Sequence, residues 1–121
     1  MKIIKITAKH FTPDAKVKSY AEEKVQKLIN YVPRKSRASA EASVKIDKIE
    51  SKGAAKLECE ILLSLPGKQL VAKKSHDGVL AAIDGAEAKM RGQIRQYKIE
   101  LEKERSKGGV LGQLKRTLRR K

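Results

Sequence analysis

Tryptophan is absent from this 121-residue chain, and one phenylalanine and three tyrosines are all its aromatic surface. Platforms for stacking unpaired bases are therefore scarce, so any contact with nucleic acid should run through phosphates and shape. A single cysteine, Cys59, excludes an intramolecular disulfide and a cysteine metal cluster, which fits a reducing compartment. The two histidines, His10 and His76, stand at no metal-ligand spacing with it. Nowhere do about 18 apolar residues follow one another, as a membrane-spanning helix would require. The opening MKIIKITAKHFTPD has a charge at every second or third residue instead of the apolar run of a signal peptide, so a cytoplasmic protein is expected. Gly53, Gly67, Gly78 and Gly92 have no phosphate-cradling spacing, which leaves nucleotide binding unsupported.

Positive charge is what the chain has in excess. Lysine and arginine outnumber aspartate and glutamate by 29 to 14, for a net charge of +15 at pH 7. Such a balance favours a polyanionic partner, nucleic acid first and an anionic lipid surface second. A chain of 121 residues has room for one domain with a core of ordinary size, and a tail.

From Lys2 to Lys9, Ile4, Ile6 and Ala8 alternate with Lys5 and Thr7, while Ile3 faces the wrong way; the pattern predicts a first strand. Thr12-Pro13-Asp14 predicts a helix start, with a hydroxyl cap, a proline at the first helical position and an acid at the positive dipole end. That helix runs to about Asn30 on a seam of Val17, Ala21, Val25 and Leu28, with Lys16, Lys24 and Lys27 on another face that Tyr20 and Tyr31 continue. Tyr31 to Arg37 reads as a basic loop, because Pro33 disfavours a helical Val32. Alternation returns from Ala38 to Ile49 around Ala40, Ala42, Val44 and Ile46, and after a turn over Glu50 to Ala54 it resumes around Leu57, Cys59, Ile61 and Leu63. Cys59 reads as a small core residue. Leu65-Pro66-Gly67-Lys68 fits a type II turn into a fourth strand from Gln69 to about Ser75.

From Asp77 to Arg105 a long helix places Leu80, Ile83, Met90, Ile94, Tyr97 and Leu101 at heptad spacing, with Glu87 the one polar gap and Asp77 as N-cap. The order β-α-β-β-β-α predicts an α+β two-layer sandwich: a four-stranded mixed sheet with two helices on one face. Its first two strands pair in parallel through a right-handed crossover, and the last three form an antiparallel meander. The domain is expected over residues 1–105 and a basic tail over 106–121. Val110, Leu111, Leu114 and Leu118 would suit a short amphipathic helix there, an unstructured extension suits it as well, and a membrane-surface anchor is a third reading.

Along the last helix Arg91, Arg95, Lys98 and Arg105 lie at i, i+4, i+7 and i+14, beside the apolar seam. Lys24 and Lys27 of the first helix, Arg34, Lys35 and Arg37 of the loop, and Lys73 and Lys74 of the fourth strand join them as candidate phosphate contacts. The bland reading stands beside this one: charge runs are usually solvated faces, and Glu100, Glu102 and Glu104 offset the end of the stripe. An enzyme has no such support. His76 and Asp77 are adjacent at a strand-to-helix junction, where they seldom aim at one atom, and no third group completes a catalytic set.

Together, IIKITAKHFTPD, the LSLPGKQLVAKKSHD hairpin and the AAIDGAEAKMRGQIRQYK helix resemble the ribosome hibernation-promoting factors, also called ribosome-associated inhibitor A or sigma-modulation proteins, over about residues 1–105. The resemblance implies a double-stranded-RNA-binding-like sandwich on the small ribosomal subunit, in the channel used by mRNA and tRNA, where it silences idle ribosomes. It implies contacts from basic residues of both helices, here Lys24 and Lys27 in the first, and Lys89, Arg91, Arg95 and Lys98 in the second. Gly92 departs from the pattern, standing where many members have a cation, and Gly78 and Leu80 replace common acidic and aromatic residues. The chain looks like the short class, without the domain that pairs ribosomes. The implied partners are the small subunit and its RNA, with no small-molecule substrate, cofactor, metal or membrane, and with a single copy of the chain away from the ribosome. The rival reading is a general structured-RNA-binding protein or RNA chaperone without ribosome preference.

Overall fold

Residues 2–108 are described by a computed structural model, with side chains over 5–104. The strands are β1 (Lys2–Lys9), β2 (Glu41–Ser51), β3 (Ala54–Leu65) and β4 (Lys68–His76); the helices are α1 (Ala15–Lys27), α2 (Arg34–Arg37) and α3 (Val79–Gly108). The sheet runs β1-β2-β3-β4, with β1 parallel to β2 and the other pairs antiparallel, as the alternation predicts. Ala42, Val44 and Ile46 of β2 and Cys59, Ile61 and Leu63 of β3 point to one face, where α1 and α3 cover them. The result is an α+β sandwich with both long helices on one side of a mixed sheet.

Local chemistry explains most boundaries, though not always through the residue that the sequence suggests. Asp14, rather than Thr12, caps α1: its carboxylate accepts the Val17 N–H at 2.8 Å, so Pro13 sits before the helix. In β1 the register steps from Ile3 opposite Ala42 to Lys5 opposite Ser43, leaving Ile4 as a bulged extra residue; that step accounts for the broken alternation. Ala8, expected inside, is exposed on this edge strand. The β2–β3 turn is tighter than expected, because Ser51 already pairs with Ala54 and the two residues between them, Lys52 and Gly53, have φ of 54° and 77°. Gly67, at φ 75°, supplies the conformation that a type II turn requires.

The segment after α1 is more ordered than a loop. A 3-10 turn over Leu28–Tyr31 continues α1, Val32 is buried, and Arg34–Arg37 form the single turn of α2. Ser36 faces inward, 3.3 Å from the Tyr97 hydroxyl, which itself donates to the Pro66 carbonyl at 3.3 Å. Tyr97 therefore spends its proton on Pro66 and accepts from Ser36, joining α2, α3 and the β3–β4 turn.

The α3 seam keeps Ile83, Met90, Ile94, Tyr97 and Leu101 of the expected heptad and departs from it at Leu80. Ile83, Ala86, Met90 and Ile94 are fully buried and Tyr97 nearly so, with Val79 and Leu101 partly buried at the ends. These steps of four and three follow the 3.6-residue period of a straight helix, so Ala86 fills the place where Glu87 had broken the pattern. Leu80 falls off the stripe and is 41% exposed. Asp77 is not the cap. The first intrahelical bond runs from the Ala82 N–H to the Gly78 carbonyl, while the Asp77 carboxylate accepts from Lys56 Nζ at 3.1 Å. The helix continues to Gly108, past the expected boundary at Arg105; the tail reading around Val110 to Leu118 lies outside the described residues.

Candidate nucleic-acid interface

Three contacts in the same order along both segments show that α1, the 3-10 turn and α2 run beside α3. Tyr20 and Lys24 meet Asp84, Tyr31 meets Arg91, and Ser36 meets Tyr97. From Asp84 to Tyr97 the helical rise gives a groove roughly 20 Å long. Its α3 wall carries Asp84, Glu87, Arg91, Arg95 and Lys98, spaced by threes and fours so that they share one flank. Its other wall carries Lys24, then exposed Lys27 three residues on; exposed Arg34 and Lys35 stand on α2, whose Ser36 meets Tyr97 at the far end. Five of the candidate cations, Lys24, Lys27, Arg91, Arg95 and Lys98, thus lie along one groove by contact or helical spacing.

Two of the five are held in place by similar sets of groups. Tyr20 donates to Asp84 Oδ1 at 2.6 Å, Lys24 Nζ lies 3.4 Å from the same oxygen, and the ammonium sits 5.6 Å from the Tyr20 ring centroid. Asp84 accordingly raises the pKa of both Tyr20 and Lys24, by hydrogen bonding first and by charge second for the lysine. Farther along, the Arg91 guanidinium lies 5.8 Å from the Tyr31 ring centroid, and its Nε is 3.0 Å from Glu87 Oε1. That Nε–H is not aimed at the carboxylate and has no hydrogen-bond partner, so attraction of charges holds the pair. Tyr31 and Glu87 together keep Arg91 protonated more firmly than usual. Glu87 is only 7% exposed, although it belongs to a charged flank.

The remaining candidates are elsewhere. Lys73 points to the open face of the sheet, opposite Glu60, and lies 3.7 and 3.9 Å from the Glu60 and Glu58 carboxylates. Lys74 emerges on the helix side, where its stem crosses α3 at Gly85; a Cβ there would stand 2.6 Å from Lys74 Cγ, so glycine permits the approach. Lys89 lies on the α3 flank opposite Arg91 and donates to the Lys73 carbonyl of β4 at 3.3 Å, beside Gln93, which donates to the Val71 carbonyl at 2.6 Å. Arg37 turns inward and gives its Nε–H to the Val32 carbonyl at 2.9 Å. Arg37, Lys73, Lys74 and Lys89 therefore do not join the groove.

Reading charge alone misses the residues that organise this groove: Tyr20, Tyr31, Asp84 and Glu87. The i, i+4 pairs Tyr20–Lys24 and Glu87–Arg91 were the available signal, but pairing across the helices was not in the sequence. Among the described residues no group of three or more His, Cys, Asp or Glu could hold a metal ion, and no helix is long and apolar enough to cross a membrane. Surface hollows of about 380 and 180 Å³, the first beside Pro66 and Tyr97 and the second around Phe11, lie outside the groove.

No curated protein matches the chain. Solved structures do: the N-terminal domain of Protein Y from Thermus thermophilus is 23% identical, with a TM-score of 0.67 over 80% of this chain and 99% of that one. A ribosomal subunit interface protein from Coxiella burnetii is 19% identical, with a TM-score of 0.65 over 82% of this chain and 99% of its own. At these identities the likeness concerns the fold. The sequence itself matches the family model described as sigma 54 modulation protein / S30EA ribosomal protein over residues 4–102, nearly the whole described structure. The chain belongs to that family, whose members are ribosome-associated and not enzymes.

Proposed function

We propose that this protein is a ribosome hibernation factor that inhibits translation by binding RNA of the small subunit in the mRNA and tRNA channel. The observation that carries the reading is the groove, where Lys24, Lys27, Arg91, Arg95 and Lys98 share facing flanks in a member of a ribosome-associated family. A groove roughly 20 Å long is long enough to meet several phosphates of a folded RNA. The Coxiella burnetii relative, a ribosomal subunit interface protein, supports the same assignment. Co-sedimentation of the purified protein with small subunits, lost as salt rises, together with inhibition of initiation in a reconstituted translation system, is the expected result. Absence of salt-sensitive association overturns it.

A second reading draws on the cations outside the groove. Lys73 on the open face, and Lys74 and Lys89 beside β4, spread positive charge around the molecule, as suits a general binder of structured RNA. Competition separates the two: a ribosome-directed site keeps its subunits against an excess of bulk structured RNA, by a margin of several kcal/mol.

A further inference from the structure

A chain with a charge of +15 attracts every RNA, yet its cationic groove contains two acids. Asp84 and Glu87 are one turn apart on α3, and each sits against a groove cation that also lies over a tyrosine ring. The two sets draw on both sides of the groove. The first takes Tyr20 and Lys24 from α1 and Asp84 from α3; the second takes Tyr31 from the 3-10 turn, and Glu87 and Arg91 from α3. Packing does not explain Glu87. A carboxylate 7% exposed is costly to desolvate, and Ala86 already fills the seam beside it. A simple phosphate-binding surface would have neither acid, since each cancels a charge where phosphates must come.

We propose that Asp84 and Glu87 are positioning residues that set selectivity, fixing Lys24 and Arg91 for the phosphate arrangement of the ribosomal site while weakening the groove for undifferentiated RNA. The inference rests on the ribosome-binding reading and adds the residues that discriminate. Lysine and arginine side chains are flexible, and an unheld cation adapts to phosphates in many arrangements. Lys24 and Arg91, each held by a carboxylate and an aromatic face, meet phosphate in one arrangement and pay less ordering entropy when RNA of that shape arrives. Bulk duplex instead meets a groove carrying two fewer effective charges.

The test measures affinities for small ribosomal subunits and for a plain RNA duplex of about 16 base pairs, using the full chain and its Asp84→Asn and Glu87→Gln variants. Duplex binding should tighten about eightfold per variant near 0.1 M salt, because one freed cation adds about 0.9 to the salt slope. Subunit binding gains the same charge but loses about twofold to tenfold to the ordering of one long side chain, so it should rise far less. The preference for subunits over duplex thus falls about twofold to tenfold. Glu100→Gln is the control: Glu100 lies on α3 outside the groove and pairs with Lys68 at 2.9 Å, so its loss raises both affinities alike. An unchanged preference in both acid variants, with both affinities rising by the same factor as in the control, overturns the proposal. Should Glu87→Gln not fold, exposed Asp84 decides alone. If the unsubstituted protein itself shows no preference for subunits, the ribosomal reading fails too; if it does and the variants keep it, only the present inference fails.

Discussion

Replacing Arg95 and Lys98 together by alanine isolates the phosphate contribution of the groove without disturbing what holds the groove together. Both side chains are exposed, and no carboxylate of the described residues pairs with either. Their removal should change stability by no more than about 0.5 kcal/mol, or at most about 4 °C in melting temperature for a domain of this size. Each phosphate contact contributes about 0.9 to the slope of log affinity against log salt, so the slope should drop by about 1.8. Over a fourfold rise in salt, from about 50 to 200 mM, the unsubstituted protein should then lose about twelvefold more affinity than the variant. Sedimentation with small subunits across a potassium chloride series gives the slope, and calorimetry gives the melting point. An unchanged slope refutes the reasoning; so does a melting point lowered by more than about 8 °C, which would make these side chains structural. Arg91→Ala is deliberately left out of this pair. It strands the nearly buried Glu87 carboxylate and should itself cost about 1–3 kcal/mol.

Other consequences can be checked on the free protein. Asp14→Ala should cost about 1 kcal/mol in urea unfolding, whereas Thr12→Ala should cost almost nothing, since the cap bond belongs to Asp14. Met90→Ala, in the fully buried centre of the α3 seam, should cost about 2–5 kcal/mol by the same measurement. Gly92 is exposed in mid-helix with nothing near an added Cβ, so Gly92→Ala should stabilise by roughly 0.5–1 kcal/mol. Burial pushes the Cys59 thiol up to about 12. Native protein should therefore resist alkylation at pH 8 and react rapidly in urea. Because the folded value is the higher one, this thiol's contribution to stability is complete below its unfolded value of about 8.5 and is lost as pH rises from there towards about 12.

The sheet was legible because its two-residue period is local: one apolar face repeated through β2 and β3 leaves only one register for the core. The start of α3 is harder to read: Leu80 fits the heptad spacing and is hydrophobic, yet the structure leaves it exposed, while Ala86 is buried beside the polar gap at Glu87. Caps are ambiguous for a similar reason, since Thr12 and Asp14, two residues apart, and Asp77 and Gly78, side by side, are all residue types that cap helices. In the site, the sequence displayed charges and hid their partners. Arg37 and Lys73 look identical on paper to Arg34 and Lys35, and only the fold turns one onto the Val32 carbonyl and the other onto Glu58 and Glu60. Glu87 read as an interruption of a seam, yet its contact with Arg91 makes it part of the groove.

The contacts of Gln93 and Lys89 bear on more than the placement of a lysine. β4 is an edge strand, and its Val71 and Lys73 carbonyls would otherwise be free acceptors on which another extended chain could build. Two side chains of α3 occupy them, so the helix that roofs the core also closes one border of the sheet to strand addition. Such protection matters even for a chain of charge +15, because the repulsion between its copies is screened by salt. Substitutions at Gln93 or Lys89 should accordingly be judged by turbidity and self-association as well as by RNA binding.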